Sequence, residues 1–121
     1  MSKQLTAALI AASVADLPSG HITMPHKHLG GNINIKIQTV AEREDFEKLA
    51  YGSDSEFKDY PQRAVIFAHA VVDADGNRLF GDDQIPVISK WPAYITVPVF
   101  NKYTEVNGVG PDKIEAATKN S

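Results

Sequence analysis

Apolar and polar positions change period several times along the chain, and each change marks an element. Leu5, Leu9, Ile10, Val14 and Leu17 fall close to one helical face, predicting an amphipathic or buried helix over 5–17. "LPSG" ends it, because proline and glycine both resist continuing a helix. The period then drops to two. Ile33, Ile35 and Ile37 alternate with Asn34, Lys36 and Gln38, and Ile22 and Met24 alternate in the same way before "LGGN". Gly30-Gly31 can supply the positive φ angles of a tight reversal, so 21–38 reads as a two-stranded hairpin. Pro25 has no amide proton, which makes the first strand short, bent or an edge. A lone hairpin is marginal in water, so its isoleucine face must rest on helices.

Helical spacing returns at Thr39. Thr39 and Glu42 form the S/T-x-x-E capping box, and Glu42, Glu44 and Asp45 favour the positive end of the helix dipole. Phe46, Leu49 and Ala50 form the inward stripe, Gly52 is a natural stop, and "SDSEFKD" is a polar linker. Pro61 opens the next helix, "QRAVIFAHAVVD", which is apolar nearly all round and predicts the most buried helix of the fold. A strand through "VIFAHAVV" is the competing reading. "DADGNRLF" is a turn; Asp82 is placed to cap a short helix with Pro86 in its opening turns. Pro92 begins a longer helix that carries Pro98 inside it, where a kink is expected, and Gly108 closes it. The expected fold is therefore mainly α with a small N-terminal β-hairpin (α+β). It is a single compact domain over 1–121, with a helical body over 39–108 and a flexible polar tail over 109–121.

Composition narrows the function more than the fold. A content of 43% hydrophobic and 22% charged residues belongs to a soluble globular chain. With no cysteine there is no disulfide, zinc–thiolate site or cysteine nucleophile, which fits a reducing cytosol. The net charge of -3 provides no overall basic field for nucleic acid. The 5–17 segment is too short to span a bilayer, and Lys3 alone is a thin flank for a secretion signal.

Three of the four histidines, His21, His26 and His28, lie within eight positions. On a regular strand His26 and His28 share a face and His21 takes the other, so a metal site needs His69 or a carboxylate from elsewhere. Solvated loop imidazoles are the simpler reading, and His69 reads as a hydrogen-bonded core residue. "DADGN" is no EF-hand: counted from Asp73, glycine arrives at the fourth position and the twelfth is Gln84. There is no G-x-S-x-G, P-loop, G-x-G-x-x-G or H-E-x-x-H, so neither catalysis nor a bound cofactor is expected.

The order of these pieces resembles the tail assembly chaperones of long-tailed bacteriophages. Leu17-Pro18 is followed by Ile22, Met24, Pro25, Gly30-Gly31, Ile33 and Ile35 in a β-x-β-P…G-G-x-β-x-β pattern. "TVAEREDFE" then matches the family's T-x-x-E-R-[DE]-x-[FW]-E helix, "VVDADGNRLFGDD" its V-D-x-[DE]-G-x-x-L-F turn, and Asn107-Gly108 its terminal N-G. No single piece is specific, but their order spans nearly the whole chain. Pro92 and Pro98 depart from the pattern, because the family's last helix is smoother and richer in alanine and leucine.

The resemblance implies a non-enzymatic protein of the infected host cytoplasm, absent from the mature virion. It would coat the tape-measure protein, help recruit major tail (tube) protein subunits, and self-associate into open helical arrays, with no nucleic acid or membrane as partner. Many such chaperones also occur in a longer, frameshifted form. Candidate partner-binding residues are Ile22, Met24, Leu29, Trp91 and Tyr94. A virion-retained minor tail protein, or a small metal- or ligand-binding module using His21, His26 and His28, are the alternatives.

Overall fold

The computed structural model describes residues 4–51 and 56–108. The stop at Gly52, part of the following linker and the tail over 109–121 lie outside the described residues. Among the described residues, five α-helices and a three-stranded antiparallel sheet make an α+β domain in which helix predominates.

Helix α1 spans Ala7–Ala15, with the Thr6 hydroxyl accepting from the Leu9 amide as its N-cap. Strands β1 (His21–His26) and β2 (Gly31–Lys36) pair as the expected hairpin, with Ile22 opposite Ile35 and Met24 opposite Ile33. Gly30 takes φ 72° in the connecting turn. Pro25 sits on β1, which is an edge strand, so its missing amide costs no ladder bond. The inward face of Ile22, Met24, Ile33 and Ile35 packs on the core, and on the outer face the Thr23 hydroxyl donates to Asn34 Oδ1 at 2.7 Å.

Helix α2 (Val40–Tyr51) starts with the capping box in both directions. The Glu42 amide donates to the Thr39 hydroxyl at 3.1 Å, and the Thr39 amide donates to the Glu42 carboxylate at 2.9 Å. Helix α3 (Gln62–Ala70) is the central element: Ala64 through Ala68 and Ala70 are all buried.

The helix expected through Val71 and Val72 ends before them. Both valines are extended and form a short strand, β3 (Val71–Val72), on the free edge of β2, with Val71 opposite Ile35 and Val72 opposite Asn34. Two adjacent β-branched residues lose little by leaving the helix, and β2 offers them its unpaired backbone groups. The sheet order is thus β1-β2-β3, one strand more than the hairpin alone.

The chain reverses through "DADGN" as the turn preferences require. Asp73 Oδ1 accepts from the amides of Asp75 and Asn77 at 2.8 and 2.9 Å, and Gly76 takes φ 88°. Asp82 does not cap by its side chain; it begins a 3-10 turn, Asp82–Gln84, that leads into helix α4 (Ile85–Ile88). Its carboxylate instead accepts from Arg78 Nη2 at 2.7 Å. Helix α5 (Ala93–Asn107) begins directly after Pro92, runs through Pro98, and ends at Gly108 with φ 90°. The proline removes one intrahelical hydrogen bond without ending the helix. Among the described residues, no helix is long and apolar enough to cross a membrane.

Candidate functional site

The hairpin tip, the turn after β3 and the start of α5 converge on one groove of about 570 Å³. Its floor is aromatic. Phe67 from α3, Phe80 and Trp91 stand mutually tilted or edge to face, with ring centroids 5.5–5.7 Å apart. Ile33, Val71 and Ile95 complete the floor, while the rim carries Leu29, Leu79 and Tyr94, each more than half exposed. Among the described residues, no Asp, Glu, Lys or Arg lines it. A cleft of this volume, apolar and uncharged, is suited to an apolar side-chain cluster and offers no charge to a polar substrate.

His26 helps to build this groove, and the clustered histidines do not gather around an ion. His26 is 2% exposed, at the end of β1. Its Nδ1 accepts from the His28 amide at 3.3 Å, so the ring proton sits on Nε2, which donates to the Ile95 carbonyl at 2.8 Å. His28 lies in the turn, with its ring centroid 4.6 Å from that of Tyr94. His21 is at the opposite end of β1. Among the described residues, no three His, Cys, Asp or Glu side chains come together in a way that could hold a metal ion.

Of the candidate partner-binding residues, Leu29, Trp91 and Tyr94 line the groove together. Ile22 and Met24 pack against the core, partly buried beneath the sheet. Sequence reasoning missed Leu79 and Phe80, which the turn brings opposite the hairpin. The signal was there: two large apolar residues directly following the polar turn "DADGNR".

A second, more polar cleft of about 380 Å³ lies between β2, α2 and α3. Lys36 there contacts Glu42 at 2.7 Å, holding the Glu42 carboxyl below its ordinary range, with help from the Thr39 amide. His69 lies at its edge, its ring centroid 5.3 Å from that of Phe46 and 6.0 Å from that of Phe57. Burial, and then the charge of Arg78, push its pKa down, while Asp82 opposes them. His69 Nε2 lies 3.1 Å from Asp82 Oδ1, but too far out of line for a directed hydrogen bond. The expected core hydrogen bond is therefore replaced by a loose polar contact. That carboxylate oxygen is held by Arg78, whose Nε also donates to the Ala68 carbonyl.

No protein-family model, no curated protein and no solved structure matches the chain.

Proposed function

We propose that this chain is a tail assembly chaperone of a long-tailed bacteriophage. It acts by surface contact and not by catalysis, coating the tape-measure protein in the host cytoplasm, recruiting tube subunits, and staying out of the finished virion. The observation that carries the reading is the uncharged aromatic groove with its exposed rim of Leu29, Leu79 and Tyr94. The order of motifs along the sequence supports it independently.

A long tape-measure helix exposes apolar stripes that aggregate until the tube encloses them. Many small domains, each gripping a few apolar side chains in a groove, keep such a helix soluble. Each contact is weak, so coating is strong through multiplicity and still reversible when tube subunits arrive.

Co-expression with the tape-measure protein of the same phage tests this reading. The wild-type chain is expected to keep the tape measure in the soluble fraction, and a Leu29→Asp/Tyr94→Ser chain to leave it in the pellet. Equal solubility with both chains contradicts the reading. Mass spectrometry of purified particles is expected to lack the chain, and its presence there would favour a minor tail protein.

A further inference from the structure

We propose that Asn107 is a site of spontaneous covalent modification, at which deamidation across the Asn107–Gly108 bond destroys the contact that holds the hairpin base to α5. The site lies at the opposite end of β2 from the groove, and the inference does not rest on the chaperone reading.

An asparagine followed by glycine is the most labile of asparagine sequences. Glycine has no Cβ to shield its amide nitrogen or to resist the turn that brings that nitrogen onto the asparagine side chain. The chain has one such step, Asn107–Gly108, and its other asparagines precede Ile33, Ile35, Arg78, Lys102 and Ser121. Gly108 is exposed, and a Cβ there would meet nothing within 4 Å, so solvent reaches the reacting bond.

The reaction needs only water. The Gly108 amide nitrogen bonds to Asn107 Cγ, the Cγ–Nδ2 bond breaks, and the displaced nitrogen leaves as ammonia, carrying the amide proton. Water then opens the cyclic imide at either carbonyl, giving its hydroxyl to that carbon and its remaining hydrogen to the Gly108 nitrogen. Opening at Cγ leaves aspartate, and opening at the main-chain carbonyl leaves isoaspartate.

The fold both guards this site and depends on it. Asn107 Oδ1 accepts from the Gln38 amide at 2.7 Å, and Nδ2 donates to the Lys36 carbonyl at 2.9 Å. While both bonds hold, Cγ cannot swing toward Gly108 and Nδ2 cannot leave. The reaction therefore proceeds from molecules in which this clamp has opened locally, at a rate set by how seldom it opens.

The product cannot rebuild the clamp. A carboxylate has no hydrogen to donate, so the Lys36 carbonyl then faces an acceptor where it had a donor. The new negative charge also sits at the C-terminal end of α5, where the helix dipole opposes it. Isoaspartate adds a main-chain carbon and carries its carboxylate out of register. Opening is thus reversible only until the amide is lost.

Mass mapping of the full chain, incubated in mildly alkaline buffer with and without urea, tests the proposal. Asn107 is the single asparagine of the tryptic peptide 103–113, so conversion of amide to acid reads directly as a mass gain there. In urea, Asn107 is expected to convert before any other asparagine. In the folded chain it is expected to convert ~10- to ~100-fold more slowly, as for a site reached by local opening. Gly108→Ala, compared in urea where the folded φ no longer matters, is expected to slow the conversion. Folded chain converted at Asn107 alone, isolated by anion exchange through its added charge, is expected to melt several degrees below unconverted chain from the same incubation. Equal rates with and without urea overturn the proposal, as does a folded chain with no acid after weeks. It is also overturned if Gly108→Ala reacts as fast as wild type in urea, or if the converted chain melts with the unconverted one.

Discussion

His26 Nε2 donates to the Ile95 carbonyl at 2.8 Å, a bond that ties the hairpin tip to α5 across 69 residues of sequence. With the His28 amide fixing the other ring nitrogen, the imidazole acts as a rigid strut. It sets the spacing between Leu29 on one rim of the groove and Tyr94 on the other. Replacing His26 by Ala removes this bond and leaves a gap where a 2%-exposed ring stood, at a cost of about 1–3 kcal/mol in urea unfolding. Trp91 emission is expected to shift in the same variant, whereas the exposed His28→Ala should change stability much less.

The base of the hairpin is clamped to the same helix. Asn107 Oδ1 accepts from the Gln38 amide at 2.7 Å, and its Nδ2 donates to the Lys36 carbonyl at 2.9 Å. Beside it the Tyr103 hydroxyl donates to Gln38 Oε1 at 2.6 Å and accepts from Arg43. Asn107→Ala removes both bonds at one stroke, and a loss of about 1–3 kcal/mol is expected. Hydrogen exchange should speed at Gln38, whose amide loses its acceptor, while the α3 amides keep their relative protection.

Stability is expected to depend on pH through His69. Burial and Arg78 hold its folded pKa below the ordinary value of 6.5, so the unfolded chain takes up the proton first. The contribution is full above about pH 6.5 and is lost as the pH falls below it, through the unfolded value toward the lower folded one. His69→Phe, which can pack between Phe46 and Phe57, removes the titration. Melting temperatures measured from about pH 7.5 down to about pH 5 should show the variant gaining on the wild type. Parallel curves would mean that His69 titrates alike in both states.

Much of this fold was legible wherever one local rule acted alone. The alternating isoleucines fixed the hairpin, and Thr39 with Glu42 announced the start of α2, because each signal sits within a few residues. Val71 and Val72 were misread as helix because their strand exists only through β2, more than thirty residues away in sequence. His69 was misread for a related reason, since whether a buried imidazole finds an aligned acceptor depends on how Asp82 and Arg78 are placed. The groove was half legible. Leu29, Trp91 and Tyr94 stood out as apolar residues among turn-formers, but nothing local places Leu79 and Phe80 opposite them. The exposure of α1 could not be read at all: an apolar face implies burial, and periodicity does not say against what.

Trp91 is the chain's only tryptophan and forms part of the groove floor, so its indole reports on that site alone. The most direct measurement is a titration of the chain with a tape-measure segment while following the indole N–H cross-peak by NMR. A saturable shift of that peak, absent in Leu79→Glu, is the expected result. Binding that leaves the Trp91 peak in place, or that survives Leu79→Glu unchanged, would contradict the groove as the docking face.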